Sequence, residues 1–115
     1  METHTLHTDL FSKMELLDIL KRGLERTSSK AFKLLMPEFI FEKFFKDDCT
    51  DIVSKELAEN YGLNYTSHMY HNEKFKQFSI TIISTMLCDE NICTDIIVMP
   101  TPDVKEIPLA IEITQ

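Results

Sequence analysis

The sequence predicts an α+β fold: an N-terminal helical layer of three or four helices packed on one face of a four-stranded antiparallel β-meander. Three observations carry that prediction. Apolar residues recur every three to four positions before Gly62 and alternate after it, as in Phe78-x-Ile80-x-Ile82 and Ile107-x-Leu109-x-Ile111-x-Ile113. The first spacing marks one face of a helix and the second one face of a strand. The 115 residues, 43% hydrophobic and 27% charged, hold no linker, repeat or low-complexity tract, so a single domain over 1–115 is expected.

Residues 1–7 are polar and unpatterned, and flexibility is expected there. Thr8 or Asp9 can cap a first helix running to about Arg26, striped by Leu10, Met14, Leu17, Leu20 and Leu24. Lys21, Arg22 and Arg26 fall in its last turns, where positive charge suits the helix dipole. Thr27-Ser28-Ser29 breaks the chain and caps a short helix through Ala31, Leu34 and Leu35. Pro37 fits the first turn of a third helix, about 37–46, because its missing N–H costs nothing there. Phe39, Ile40, Phe41, Phe44 and Phe45 cover more than half of that helix at roughly 100° per residue. Such a helix is either central to the core or shared with another chain. A fourth helix, about 51–61, carries Ile52, Val53, Leu57 and Tyr61, and Gly62 ends it with Leu63 folding back. Residues 8–62 are thus read as helical.

Residues 63–115 are read as the meander, with strands at about 63–71, 75–88, 92–99 and 105–114. A loop at Asp89-Glu90-Asn91 sets Ile82 against Val98 and Ser84 against Ile96 on one side, and Ile83 against Ile97 on the other. Pro100, Pro102 and Asp103 make the last turn. Pro108 removes a ladder donor, which places the final strand at an edge.

Charge narrows the function classes. The net charge is −7, with six basic and five acidic residues in 1–36 but three against seven in both 37–64 and 65–115. An acidic chain repels the phosphate backbone, so nucleic-acid binding is disfavoured and a basic protein partner is allowed. The same charge also serves solubility alone. No apolar run approaches the ~20 residues that span a bilayer, and Met-Glu-Thr-His lacks the order of a secretion signal. No membrane association and a cytoplasmic location are expected.

Reaction chemistry finds little to stand on. His68-x-x-His71 and Cys88-x4-Cys93 have zinc-type ligands, but residues three apart on a strand diverge, and the cysteines lie at the far end of the next strand. A Cys88–Cys93 disulfide would join opposite faces. Gly23 and Gly62 are the only glycines, too few for a phosphate cradle. Asp47 with Asp48 and Asp89 with Glu90 fall in turns, without the apolar pocket a general acid needs. The expectation is a non-enzyme with no catalytic, cofactor-binding or metal residues.

Ser54-Lys55-Glu56-Leu57-Ala58-Glu59-Asn60-Tyr61-Gly62-Leu63-Asn64-Tyr65-Thr66-Ser67 resembles the central stretch of helix-turn-helix DNA-binding proteins, through Leu57-Ala58, Gly62 and Leu63. That resemblance implies a recognition helix opening at Tyr65, Thr66 and Ser67, and a transcriptional regulator using residues 51–73. His68 and His71 stand where that family buries aliphatic side chains, and a glycine-capped helix explains the same letters.

The remaining signal is surplus apolar surface. If Ile80, Ile82 and Met86 face the helices, Ile83, Leu87, Ile97 and Met99 form a patch on the other side, which monomers seldom leave bare. The patch reads either as an imperfect strand pattern or as an interface. The function expected is that of a small acidic protein-binding or regulatory protein, self-associating as a dimer or engaging a basic partner. The patch, or Phe41 and Phe45, would make the contact, and Glu38, Glu42, Asp47, Asp48 and Asp51 would steer the partner. Small viral or mobile-element modulators of host factors share this size and charge.

Overall fold

The computed structural model describes residues 2–7, 10–58, 63–86, 95–101 and 109–114. Along the chain run β1 (Glu2–His7), α1 (Lys13–Glu25), β2 (Ala31–Pro37), α2 (Glu38–Ile40), β3 (Cys49–Ala58), β4 (Leu63–Tyr70), β5 (Ser79–Met86), β6 (Asp95–Thr101) and β7 (Leu109–Thr114). A π-turn (Phe41–Phe45) and a 3-10 turn (Lys46–Asp48) extend α2 to residue 48, and a second 3-10 turn covers Glu73–Phe75.

The seven strands form one mixed sheet in the order β1-β7-β6-β2-β5-β4-β3. β1 runs parallel to β7 and β2 parallel to β5, and the other pairs are antiparallel. The expected helical layer on a four-stranded meander is therefore wrong: among the described residues there are two α-helical segments and seven strands.

Each misassigned segment has a physical reason. In β2, Phe32, Leu34 and Met36 are buried while Lys33 is exposed and Leu35 partly exposed, a period of two. Because Leu35 is also apolar, Ala31, Leu34 and Leu35 imitate helical spacing. In β3 the pairing with β4 shifts between Cys49 and Ile52 and again between Ile52 and Ser54, and such bulges erase the alternation by which a strand is read. The helix-turn-helix reading falls with it, since Cys49–Ala58 and Leu63–Tyr70 are paired strands and no recognition helix opens at Tyr65. Residues 2–7, expected to be flexible, form β1, with Leu6 beside Ile113 and His4 beside Ile111. That places β7 inside the sheet rather than at its edge. Pro108 lies outside the described residues, as do Gly62, Leu87, Cys88, Cys93 and the loop 89–91. Pro100 belongs to β6 and pairs with Phe32 instead of opening a turn.

α1 starts later than expected. Ser12 is its N-cap, with the Ser12 hydroxyl accepting from the Glu15 N–H at 3.2 Å. Ser12-x-x-Glu15 has the spacing of a capping box, a signal stronger than Thr8 or Asp9. The buried stripe is accordingly Leu16, Leu17, Leu20 and Leu24, while Leu10 and Met14 face solvent, 81% and 61% exposed. This stripe packs with Phe32, Leu34, Ile80, Ile82, Ile96, Val98, Leu109 and Ile111 from one face of the sheet, together with the phenylalanines of the 38–48 segment.

Gly23 shows how close α1 lies. A Cβ there would meet Leu109 Cδ2 at 2.6 Å and Leu109 Cβ at 3.2 Å, and Leu109 is fully buried. Gly→Ala inside a helix ordinarily gains about 1 kcal/mol. Here overpacking of about 1–3 kcal/mol opposes it, so Gly23→Ala is expected to lower the urea midpoint, and Gly23→Ala with Leu109→Val to recover part of the loss. A gain in stability from Gly23→Ala alone would contradict the close approach.

Candidate functional site: the open face of the sheet

Parity along the strands separates two faces. The helical side takes Phe32, Leu34, Met36, His68, Tyr70, Ile80, Ile82, Ser84, Ile96, Val98, Leu109, Ile111 and Ile113, all buried. The other side takes the residues between them. Its central row is read directly from the pairing: Ser67 beside Ile83, Ile83 beside Leu35, Leu35 beside Ile97, Ile97 beside Ala110, and Ala110 beside Thr3. The next row is Met69, Thr81, Lys33 and Met99, with the Thr81 hydroxyl 3.7 Å from the Met69 sulfur.

Leu35, Ile83, Ile97, Met99 and Met69 are all partly exposed, and none belongs to the core cluster or packs against it. Four adjacent strands thus carry an unbroken apolar row on the side away from the helices. Antiparallel strands with one solvated face usually place polar residues there. Polar groups instead form a border: Thr3, Thr5, Ser79 and Glu112 are exposed, with Asp95 beside Glu112.

Of the candidate interface residues, Ile83, Ile97 and Met99 stand on this open face, and Leu87 is outside the described residues. Sequence reading missed Leu35, Met69 and Ala110. β2 separates the two strands expected to be neighbours, and Leu35 fills the gap between Ile83 and Ile97.

Phe41 and Phe45 do not offer an interface. They are 4% and 0% exposed and belong to the core. The Lys46 N–H reaches back to the Phe41 carbonyl, the five-residue closure of a π-turn, which turns Phe41, Phe44 and Phe45 inward and leaves Glu42 and Lys43 outside. Phe45 meets Tyr70 edge-on at 5.5 Å, and Phe41 stacks on His68 at 4.5 Å.

The acidic candidates lie on the helical side, away from the open face. Glu42 accepts from Lys46 at 2.9 Å, and that carboxylate raises the Lys46 pKa. Asp48 pairs with Lys13 at 3.4 Å and accepts from the Asn72 side chain at 3.0 Å, so it joins α1 to the turn after β4. Glu38 and Asp47 sit on the same segment, and the side chain of Asp51 is outside the described residues. A second tie runs from Lys74 to Asp18, whose carboxyl is held below the usual range chiefly by the Lys74 hydrogen bond.

His68 is buried and His71 exposed. Among the described residues no three or more His, Cys, Asp or Glu side chains converge to hold a metal. One groove of about 390 Å³ lies between Lys13, Met14 and Leu17 of α1 and Asn72–Lys74, and another of about 300 Å³ lies around Tyr70–Phe78. Among the described residues the Tyr70 hydroxyl, which is buried, has no hydrogen-bond partner, and burial pushes its pKa up.

Cys49 is free, and burial, then the Asp48 carboxylate, pushes its thiol up to about 11. Thiolate is the reactive form, so in a Cys88→Ser, Cys93→Ser background Cys49 is expected to alkylate on the order of 100-fold more slowly at neutral pH than an ordinary thiol. Its folded pKa exceeds the unfolded one. Its contribution to stability is therefore complete below about pH 9 and lost as pH rises toward 11. An alkylation midpoint near pH 8.5 would contradict this burial.

No helix among the described residues is long and apolar enough to cross a membrane. No family model, curated protein or solved structure matches the chain.

Proposed function

We propose that this chain is a non-enzymatic protein-binding protein whose working surface is the open face of its sheet. One observation carries the reading: the row Ile83–Leu35–Ile97–Ala110 crosses four adjacent strands without a polar interruption, and Ile83, Leu35 and Ile97 are partly exposed and stand outside the core cluster. Apolar surface of this continuity marks an interaction site on soluble proteins. A sheet face is already ordered by its ladders, so docking on it costs little further backbone entropy. The partner that fits is a protein with a flat apolar surface, and the border of Thr3, Thr5, Ser79 and Glu112 supplies the polar rim of such contacts. The acidic side chains of the 38–48 segment point elsewhere, and we give them no part in the contact. A reducing cytoplasm suits the free thiol of Cys49.

Leu35→Lys tests the reading. Tagged wild-type chain and tagged Leu35→Lys chain are used to capture binding proteins, further copies of this chain included, after equal folding is checked by circular dichroism. The wild type is expected to retain a partner that Leu35→Lys loses. Equal capture by both would overturn the proposal.

A further inference from the structure

We infer that the open face receives an amphipathic helix of a partner protein, about three turns long and laid along the diagonal from Lys33 to Glu112. Its apolar stripe carries a carboxylate at the Lys33 end and a cation at the Glu112 end. This rests on the open face being the docking surface, and it adds the form and charge pattern of what docks there.

Charge is the first argument. Lys33 and Glu112 are both exposed on the open face, and neither side chain makes a hydrogen bond or ion pair among the described residues. They stand on opposite sides of the apolar row. Lys33 lies in the row of Thr81 and Met99, and Glu112 is one outward step beyond Ala110 on β7. Interfaces exclude charge from their centre and keep it at the rim. Two unpaired rim charges of opposite sign are complemented by one acid and one base from outside.

Spacing is the second. Lys33 on β2 and Glu112 on β7 are two strands and two outward steps apart. With strands about 4.8 Å apart and outward residues about 6.7 Å apart, the separation is about 16 Å and its midpoint falls at Ile97. Leu35, Met99 and Ala110 lie within about 4 Å of the connecting line, so the line has an apolar middle and a charge at each end. A helix rising about 1.5 Å per residue spans it in about 11 residues. At about 100° per residue, positions i and i+11 point within about 20° of each other. One face of a helix therefore presents both charges, with apolar positions i+3, i+4, i+7 and i+8 between them. An extended strand spans the same line in about five residues, an odd number that turns the two charges to opposite faces. A single helix answers this pattern and a single strand does not.

Layering is the third. β2 and β5 run parallel at the centre of the sheet, and β2 carries Leu34 on one face and Leu35 on the other. Parallel strands are ordinarily covered by helices on both faces. α1 and the 38–48 segment cover one face, and no helix among the described residues lies on the other. A helix about 10 Å across covers Leu35, Ile97, Met99 and Ala110 and leaves Ile83 and Met69 at its margin. So small a footprint gives a dissociation constant on the order of 10–100 µM.

The probe is a labelled, alanine-based helical peptide of about 16 residues, with glutamate at i, leucine at i+3, i+4, i+7 and i+8, and lysine at i+11. It is titrated against the full chain by fluorescence anisotropy at low ionic strength, with folding of each variant checked by circular dichroism. Saturable binding is expected, and Leu35→Lys is expected to weaken it about 100-fold. Moving the lysine to i+9 keeps the net charge but turns the ammonium to the far side of the helix, and should weaken binding about 5-fold. Lys33→Glu should shift the preference to a peptide with lysine at both ends, and Glu112→Lys to one with glutamate at both ends, each by about 5-fold. No saturable binding up to about 1 mM, equal binding of the i+9 peptide, or preferences that ignore Lys33→Glu and Glu112→Lys would each overturn the inference. If capture of a partner, a second copy included, still depends on Leu35, only the helix falls and the open face stands as the docking surface. If capture is also indifferent to Leu35→Lys, both fall.

Discussion

Truncating Phe45 to alanine is expected to cost about 3–5 kcal/mol of folding stability. That is a large share of the roughly 5–15 kcal/mol that holds a domain together. Phe45 has no exposed surface and packs edge-on against Tyr70 at 5.5 Å, while Tyr70 meets Phe75 at 5.8 Å. The three rings join the π-turn, β4 and the 3-10 turn after it, so removing Phe45 leaves a cavity lined by elements that cannot all close in. Edge-on aromatic pairs add about 0.5–1.5 kcal/mol beyond the apolar area they bury. Urea unfolding read by circular dichroism measures the loss. A change under about 1 kcal/mol would mean that the side chain is not in the core.

Leu35→Lys is expected to do the reverse: little to folding and much to association. Leu35 is partly exposed and lies outside the core cluster, so a lysine there keeps its stem on the sheet and its ammonium in water. The folding cost is expected to stay within about 1 kcal/mol. Against a docked apolar partner the same ammonium would be buried without a counter-charge. A 100-fold or greater loss of affinity, about 2.7 kcal/mol, is expected. Partner capture by the two variants beside urea unfolding separates the effects. Leu35→Lys destabilising the monomer as much as Phe45→Ala would assign Leu35 to the core and remove the docking surface.

The C-terminal half of the fold was legible where one sheet face is greasy and the alternation is undisturbed, as in Ile80, Ile82 and Ser84 or Leu109, Ile111 and Ile113. Matching side-chain types paired Ile82 with Val98 and Ile83 with Ile97 as direct hairpin neighbours, which they are not, although each pair does lie in one row. Leu34 and Leu35 of β2 stand between the members of each. Type matching compares two strands and cannot register a third that arrives from 50 residues earlier in the chain. β2 itself was hidden because both of its faces are apolar, β3 because bulges break its period, and β1 because threonines and histidines carry its pattern. The same ambiguity concealed part of the candidate site. Lys33 and Leu35 do alternate with Phe32, Leu34 and Met36, yet seven residues fit either period when only one of the five is charged. Phe41 and Phe45 failed differently. A helix apolar around most of its girth was correctly seen as unusual, but the wider closure of the π-turn gathers its aromatic rings to one side, which no 100° projection reproduces.

The strand order also bears on how such a chain comes off the ribosome. β2 lies at the centre of the sheet, yet both of its neighbours, β5 and β6, are encoded more than 40 positions downstream. Until Thr101 has emerged, the most apolar ribbon of the protein has an unpaired backbone on at least one flank and cannot be completed by anything nearby. Domains dominated by such distant pairings fold in milliseconds to seconds rather than microseconds, and their unfinished edges attract other nascent chains. For this polypeptide, a central strand that stays incomplete until Thr101 is made follows from the strand order.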